Sequence, residues 1–276
     1  MKRVAIQGIA GSFHDLAARK YFGEDILLCP CDYFREIPEA LLSGKSDYAV
    51  MAVENTLAGA LLPNYMLIDE NRLYIAGEVY IPVRHALMAL PGQSIEEIDE
   101  VYSHAMALLQ CKSFFGKYRH LKRVAYEDTA RAAWMIAQKK QKGVAAIAPE
   151  IAADLYGLEV LAANIQDHHT NTTRFVVLSL AREREVPESG KVSFKSILKH
   201  KPGALVDLLQ IIREARMNMT KIQSVPIFDR PWEYAFFIDA LYDNRKVLSD
   251  TLAQLKAESE YFHVFGIYRK GEKESG

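Results

Sequence analysis

Short apolar runs alternate with amphipathic segments over the first 181 residues. Several runs are continuously apolar, which is typical of strands whose sheet is covered by helices on both faces. The pattern therefore predicts an α/β domain built from strand-helix units. The predicted strands span residues 3–7, 25–29, 48–53, 86–90, 100–103 and 144–148. The predicted helices span residues 14–22, 34–42, 107–115 and 129–139, with Asp128 as the N-cap of the last.

A charged segment, residues 182–191, contains Pro187 and Gly190 and predicts an exposed linker, with a domain boundary near residue 185. Beyond it, the predicted elements are a strand at 192–199, a helix at 203–215, strands at 219–228 and 234–241, a helix at 245–258 and a strand at 261–268. This βαββαβ order predicts a four-stranded antiparallel sheet with two helices on one face.

The overall charge balance gives no reason to expect a polyanionic partner, because the chain has 34 Lys and Arg residues and 35 Asp and Glu residues. The apolar stretch at the N-terminus is too short for a signal peptide, and no run approaches a membrane-spanning helix. Three cysteines support neither a disulfide framework nor a four-ligand zinc site. We expect a cytoplasmic protein that binds a small molecule, with no nucleic-acid or membrane partner.

Polar residues follow the predicted strands at residues 8–13, 54–59, 103–106 and Asp128. Ligands of open α/β sheets bind at such carboxyl ends of strands. In the first turn, glycine N–H groups and Ser12 could bind an anion, but tight packing is an equal alternative and no nucleotide-binding pattern is satisfied. In the second, Asn55 and Thr56 either cap a helix or contact a substrate.

The third turn offers Ser103 as a cap or an anion donor and His104 as an acid or base, although a lone histidine is more often structural. Residues 167–175 contain the adjacent pair His168 and His169. Neighbours in an extended segment point to opposite faces, and no third ligand is spaced suitably, so we expect no metal. Arg174 could hold a carboxylate through two hydrogen bonds. Together the segments predict a cleft for an anionic organic acid.

These segments, in this order, resemble the motif series of the prephenate dehydratase family. The matching residues are 8–14 for G-P-x-G-T-F-S, 54–56 for E-N-S, 103–108 with Gln110 and Cys111 for S-H-P-Q-A-L and Q-C, 128–133 for D-T-A-x-A-A, and 173–175 for T-R-F. Residues 145–175 are similar to the family almost throughout. Residues 203–205 and 232–239 resemble the ACT domain appended to these enzymes, so the resemblance covers nearly the whole chain.

The resemblance implies a catalytic domain over residues 1–183, with two α/β lobes around a cleft as in periplasmic binding proteins. Lobe one would span about 1–79 and 166–183, and lobe two about 80–165. A ferredoxin-like ACT regulatory domain would follow at 191–270. The implied activity is decarboxylating dehydration of prephenate to phenylpyruvate in phenylalanine biosynthesis, with no cofactor. An arogenate dehydratase and a non-catalytic small-acid or amino-acid sensor remain alternatives, and we expect a homodimer or homotetramer.

By the same resemblance, Thr173 is the catalytic residue that donates to the departing hydroxyl group. The implied substrate-binding residues are Ser12, Phe13, Asn55, Thr56, Ser103, His104, Arg174 and Phe175. The implied regulatory residues, with phenylalanine as effector, are Gly203, Ala204, Leu205 and Ser224.

The sequence departs from the family pattern at several positions. Ile9, Ser12, His14, Thr56 and the pair Ala105-Met106 replace the family's Pro, Thr, Ser, Ser and Pro-Gln. Ser12 and Thr56 keep a hydroxyl, whereas His14 and Met106 change the donor capacity, which leaves rate and substrate preference open. In residues 223–226, Gln and Val replace the Glu and Arg of the family's E-S-R-P. Because both charged members are lost, phenylalanine feedback is also left open.

Overall fold

The computed structural model describes residues 1–182, 185–227 and 230–272. The chain divides into two compact units. The first consists of Met1–Leu67 and Val79–Phe175, and the second of Ile68–Glu78 and Val176–Glu272. No helix in the described part is long and apolar enough to cross a membrane.

Eleven strands and seven α-helices precede residue 182. The strands are β1 (Lys2–Gln7), β2 (Ile26–Cys31), β3 (Tyr48–Asn55), β4 (Gly59–Ala60), β5 (Tyr74–Pro82), β6 (Ala86–Ala89), β7 (Glu100–His104), β8 (Lys122–Tyr126), β9 (Val144–Ala148), β10 (Glu159–Ala162) and β11 (Thr172–Ser179). The helices are α1 (Phe13–Phe22), α2 (Glu36–Leu42), α3 (Leu62–Glu70), α4 (Ala105–Leu109), α5 (Lys112–Lys117), α6 (Thr129–Lys139) and α7 (Ile151–Tyr156).

These strands form two sheets. The first has the order β2-β1-β3-β11-β5, with β4 paired to β3, and β1 runs parallel to both of its neighbours. The second has the order β10-β6-β9-β7-β8. It is mixed, because β6 runs antiparallel to β9 and β10 whereas β7 is parallel to β8 and β9. The chain enters the second sheet after Pro82 and returns to the first at Thr172.

Helices cover both faces of the second sheet. Met135 and Ile136 of α6 pack with Ala146 on one face, while Leu108 and Phe115 pack with Ile147 on the other. All five residues of β9 are buried. The run at 144–148 is therefore continuously apolar because neither face of this strand meets water, as predicted from the sequence.

Most predicted elements are present, but the helix predicted at 107–115 is wrong. It is split into α4 and α5, because the carboxylate of Asp167 accepts hydrogen bonds from the backbone N–H groups of Lys112 and Ser113, both at 2.9 Å. This distant cap starts a new helix at Lys112. The elements β4, α3, β5, β8, α7 and β10 were not predicted.

The second unit contains a βαββαβ series, as predicted. Its elements are β12 (Gly190–Leu198), α8 (Ala204–Glu214), β13 (Asn218–Ile227), β14 (Arg230–Tyr242), α9 (Arg245–Glu258) and β15 (Ser259–Tyr268). All its strand pairs are antiparallel, in the order β13-β14-β12-β15. Leu208 and Ile212 of α8 and Leu248 and Leu255 of α9 share one core with Phe194. Phe228, at the end of one predicted strand, lies outside the described residues.

Residues 68–78 belong to this second unit, which the sequence did not indicate. Lys191 on β12 lies 2.7 Å from the carboxylate of Glu78, and both side chains are almost completely buried. Lys195 forms a second ion pair, with Asp69 at 2.5 Å. Alternation along β12 puts both lysines on the sheet face opposite Phe194 and the helices. The domain limits 1–183 and 191–270 stay predictions, and Glu183 lies outside the described residues.

Candidate active site

A cavity of about 760 Å³ opens in the first unit. Six of the predicted site residues line it: Ser12, Phe13, Asn55, His104, Thr173 and Phe175. The other lining residues are Gln7, His14, Asp32, Tyr33, Phe34, Ala52, Ala58, Leu61, Val83, His85, Met106, Ala107, Gln110, Glu127, Asp128, Thr129 and Arg131. The polar turns that follow β1, β3, β7 and β8 therefore meet at one site, as the rule for open α/β sheets predicts.

Asn55, at the end of β3, orients the hydroxyl group of Thr173. Its Oδ1 accepts hydrogen bonds from the N–H groups of Leu57 and Ala58, both at 2.9 Å, which fixes the plane of the amide. Its Nδ2 then donates to Asn171 Oδ1 at 2.8 Å and to Thr173 Oγ1 at 2.9 Å. Because Thr173 Oγ1 already accepts, its own proton is available to donate into the cavity.

Alternation along β11 separates the members of the T-R-F triplet. Thr173 and Phe175 line the cavity, whereas Arg174 does not. Arg174 is only 4% exposed, and its guanidinium lies 3.6 Å from the carboxylate of Glu54. Successive strand residues point to opposite faces, so this separation follows from the backbone itself. The predicted contact of Arg174 with the substrate stays a prediction.

Ser12 is the N-cap of α1 and also lines the cavity. Its Oγ accepts from the N–H of Asp15 at 3.2 Å, and Asp15 in turn accepts from the N–H of Gly11 at 2.8 Å. Gly11 has a positive φ of 81°, and a Cβ there would lie 3.2 Å from the Cα of Ala152. The turn after β1 is therefore tightly packed, which is the structural alternative to anion binding. The Ser12 hydroxyl still has its own proton to donate.

Thr56 and Ser103 do not line the cavity. Ser103 is fully buried, and its hydroxyl donates to the carbonyl of Ile147 at 2.6 Å. The hydroxyl oxygen of Thr56 accepts from the N–H of Thr172 at 3.0 Å. The first contact links β7 to β9, and the second links the segment after β3 to β11. The predicted binding roles of the two residues stay predictions.

The two histidines of the motif turns have different environments. His104 is exposed, and its Nδ1 accepts from the N–H of Met106 at 3.3 Å as the N-cap of α4. His14 is buried, and its Nε2 accepts from the N–H of Ala52 at 3.3 Å. Burial lowers the pKa of His14 to about 3. The histidine that replaces a family serine is thus a neutral acceptor, packed edge-on against Phe175 at 4.9 Å.

Three charged residues on the cavity wall, Asp32, Glu127 and Arg131, were not predicted from the sequence, whereas Asp128 was. Asp128 caps α6 as predicted, accepting from the N–H of Arg131 at 3.0 Å, and burial raises the pKa of its carboxyl. Arg131 also pairs with Asp32 of a distant turn. Only the fold brings Asp32, Glu127 and Arg131 to the same wall, so no local signal marks them. Gln110 belongs to the motif series, and His85 carried no signal.

The predicted regulatory residues lie in the second unit. Gly203 is the N-cap of α8 with a φ of 80°, Ala204 and Leu205 form the first turn of that helix, and Ser224 is exposed on β13. A pocket of about 350 Å³ in this unit is lined by residues 197–202, Trp232, Glu233, Tyr234 and Phe236, and by none of these four. Their role stays a prediction.

Among the residues that the structure describes, no three His, Cys, Asp or Glu side chains cluster as metal ligands would. His168 and His169 therefore belong to no such cluster.

Named proteins are similar to this chain over almost its whole length. Residues 4–183 match the family model described as prephenate dehydratase. The bifunctional chorismate mutase/prephenate dehydratase of Enterobacter agglomerans is 33% identical over 276 residues, which cover 96% of this chain and 70% of that protein. Arogenate dehydratase 1 of Petunia hybrida is 37% identical over 286 residues, which cover 96% of this chain and 66% of that protein.

Two solved structures resemble the chain over almost its whole length. A structure described as a quorum-quenching acylase is 30% identical with a TM-score of 0.87, and the match covers 98% of each chain. The prephenate dehydratase from Arthrobacter aurescens in complex with L-Phe is 26% identical with a TM-score of 0.84, and the match covers 97% of this chain and 89% of that chain.

Proposed function

Because the chain belongs to the prephenate dehydratase family, we propose that it catalyses the decarboxylating dehydration of prephenate to phenylpyruvate in phenylalanine biosynthesis. The observation that carries this proposal is the hydrogen bond from Asn55 to Thr173 at the cavity wall. It leaves the proton of the Thr173 hydroxyl able to donate to a substrate in the cavity, as the departure of a hydroxyl group requires.

The reaction removes a carboxylate and a hydroxyl group from opposite ends of a cyclohexadiene ring. The bond from the ring to the carboxylate breaks and releases carbon dioxide, and its electron pair enters the ring. The C–O bond at the far end then breaks, and the hydroxide takes up a proton to leave as water. Since the product ring is aromatic, the main task of the protein is to hold the ring and to stabilise the departing oxygen.

Thr173 supplies the hydrogen bond to that oxygen in this proposal. An alcohol is too weak an acid to give up its proton fully, so Thr173 acts as an oriented donor or relay. The Ser12 hydroxyl and the Gln110 amide are further donors on the cavity wall that can hold a carboxylate of the substrate. The aromatic rings of Phe13 and Phe175 supply apolar surface for the substrate ring.

The amino-acid form of the substrate, arogenate, is the alternative, and the similarity to Arogenate dehydratase 1 of Petunia hybrida supports it. Prephenate and arogenate differ only in a carbonyl or an ammonium group on the side chain. A single residue of the cavity wall can discriminate between them, and that wall has carboxylates as well as Arg131. Steady-state kinetics with prephenate and with arogenate measures which substrate is preferred.

We further propose that the second unit includes an ACT regulatory domain with phenylalanine as its effector. Its βαββαβ order and sheet order are those of a ferredoxin-like fold, and a family member of similar structure binds L-Phe. Gln223 and Val225 replace the charged residues of the family motif there. Calorimetric titration with phenylalanine decides between a silenced sensor, which gives no heat of binding, and a working one. A homodimer or homotetramer and a cytoplasmic location complete the proposal.

The function is tested by measuring phenylpyruvate formation from prephenate, with arogenate as a parallel substrate and an acylase assay beside them. We expect turnover of prephenate to phenylpyruvate. Phenylalanine formed from arogenate at a much higher kcat/KM would favour the alternative. Acylase activity without any turnover of prephenate would contradict the proposal, and the similarity to the acylase structure is the reason to measure it.

A further inference from the structure

We infer that His85 is a positioning residue, which holds the side-chain amide of Gln110 with its NH2 group directed into the cavity. His85 Nε2 lies 2.9 Å from Gln110 Oε1, and both side chains line the cavity. The inference rests on the proposed function, because an inward NH2 group is useful only to an anionic substrate or a departing oxygen.

The imidazole ring is held from several directions. His85 is only 2% exposed, and the ring of Phe13 lies edge-on to it at 5.6 Å. The backbone is fixed as well, because His85 N–H donates to Gln166 Oε1 at 2.9 Å and its carbonyl accepts from Ile165 N–H at 3.0 Å. A side chain held in this way can orient a neighbour without losing much conformational entropy.

The ring can donate only one hydrogen bond. Burial lowers the pKa of His85, so the imidazole is neutral near neutral pH and has a single N–H. That proton lies on Nε2 when it donates to the oxygen of Gln110. Nδ1 is then a buried acceptor without a hydrogen-bond partner among the described residues. Buried polar atoms are rarely left unpaired, and those that are concentrate at functional sites.

The amide of Gln110 has two orientations of opposite electrostatic character. With Oε1 bound to His85, the NH2 group is the end that can face a ligand, and no residue of the described chain accepts a hydrogen bond from it. If the amide rotated by half a turn, its oxygen would face an anionic substrate and repel it. His85 therefore fixes the orientation that favours an anion.

A double-mutant cycle tests this assignment. The variants are His85→Leu, Gln110→Leu, the double variant and His85→Gln, which keeps an N–H donor near the position of Nε2. Because misplacing a substrate-holding group can lower the rate about 10²-fold, we expect His85→Leu to lower kcat for prephenate by about 10- to 100-fold. His85→Gln should recover most of that loss. In the Gln110→Leu background, His85→Leu should change kcat less than about 2-fold, because the amide that His85 orients is absent.

The matched control is His120→Leu, which should leave kcat unchanged. His120 is an exposed histidine of the same unit that bonds a backbone carbonyl, Ile95 O at 3.1 Å, away from the cavity. Fully multiplicative losses in the double variant would overturn the inference, since His85 would then act independently of Gln110. So would a His85→Leu variant with the kcat of the unsubstituted protein.

A spectroscopic measurement keeps the inference testable if His85→Leu does not fold. Nitrogen NMR of the unsubstituted protein should show the His85 ring with its proton on Nε2, and Gln110→Leu should shift that resonance. A proton on Nδ1 would overturn the inference. Absence of any prephenate turnover by the unsubstituted protein would instead contradict the proposed function, and it would leave the NMR result to decide the orientation of the amide.

Discussion

The hydroxyl oxygen of Thr173 lies 2.9 Å from Nδ2 of Asn55 and accepts its hydrogen bond. The two residues are far apart in the sequence, at the ends of strands that bound the same cavity. This bond determines what Thr173 can do, because an oxygen that already accepts from the protein has its proton left for the ligand.

Asn55→Asp should disable Thr173 with little change in shape. The introduced carboxylate can still accept from Leu57 and Ala58, but it replaces the Nδ2 donor with a second acceptor. The Thr173 hydroxyl would then donate to that carboxylate and be lost to the substrate. We expect kcat to fall about 10²-fold, as for removal of one donor to a developing oxyanion.

Gln93→Glu is the matched control for that variant. Gln93 also accepts from a backbone N–H, that of Gly143 at 2.7 Å, and donates to a backbone carbonyl, but it does not line the cavity. Steady-state kinetics with prephenate should show an unchanged kcat for Gln93→Glu. An Asn55→Asp variant as active as this control would show that the orientation of Thr173 is unimportant.

The buried ring of His14 should make the stability of the protein depend on pH. Its folded pKa is about 3, whereas a histidine in the unfolded chain titrates near 6.5. Between these values the unfolded chain binds a proton that the folded chain does not. The free energy of unfolding therefore has its full His14 contribution above pH 6.5 and loses it as the pH falls.

His14→Gln keeps an acceptor for the N–H of Ala52 and removes this titration. Between pH 7 and pH 5, its free energy of unfolding should fall by about 2 kcal/mol less than that of the unsubstituted protein. Urea denaturation at the two pH values measures the difference. His120→Gln, at an exposed histidine, is the control. Equal pH dependence of His14→Gln and the unsubstituted protein would mean that His14 is not neutral in the fold.

Lys191→Met should be strongly destabilising, because it removes the ammonium group that lies 2.7 Å from the buried carboxylate of Glu78. Breaking a buried pair in this way typically costs about 3–5 kcal/mol. Lys122→Met removes the same type of side chain from a pair that is 71% and 29% exposed, and it should cost far less because solvent screens that pair. Comparable shifts of the denaturation midpoint for the two variants would contradict the burial of the first pair.

Gly266→Ala tests the packing of residues 68–78 on the sheet of the second unit. A Cβ at this position would lie 2.0 Å from the backbone oxygen of Ile75, so the two segments must separate. We expect a loss of at least about 3 kcal/mol, at the upper end for overpacked cores. At Gly116, within α5, a Cβ meets nothing within 4 Å, and Ala should be neutral or stabilising there. Thermal unfolding of the two variants distinguishes these outcomes.

The sequence predicted elements well where local signals decide them. Helix α6 begins and ends where its pattern and its Asp128 cap indicate, because cap and apolar face lie within the same short segment. The split between α4 and α5 could not be predicted in this way. Its cause is the carboxylate of Asp167, more than fifty residues further along the chain.

The candidate site was predictable to a similar extent. The motif turns led to Ser12, Asn55 and Thr173, which the fold brings to one cavity. Arg174 belongs to the same motif but does not line the cavity. Neighbouring residues of a strand point to opposite faces, so Arg174 and Thr173 do not share a face. The family motif alone does not reveal this separation. His85 and Arg131 could not be predicted as site residues from the local sequence. Their contacts with Gln110 and Asp32 form only in the fold.

Steady-state turnover of prephenate by Thr173→Ser and Thr173→Ala tests most directly whether the Thr173 hydroxyl assists the departing oxygen. Serine keeps a hydroxyl that Asn55 can orient, so we predict that Thr173→Ser retains substantial activity, while Thr173→Ala loses about 10²-fold or more in kcat with an unchanged melting temperature. A correctly folded Thr173→Ala variant that turns over prephenate at nearly the rate of the unsubstituted protein would contradict the account.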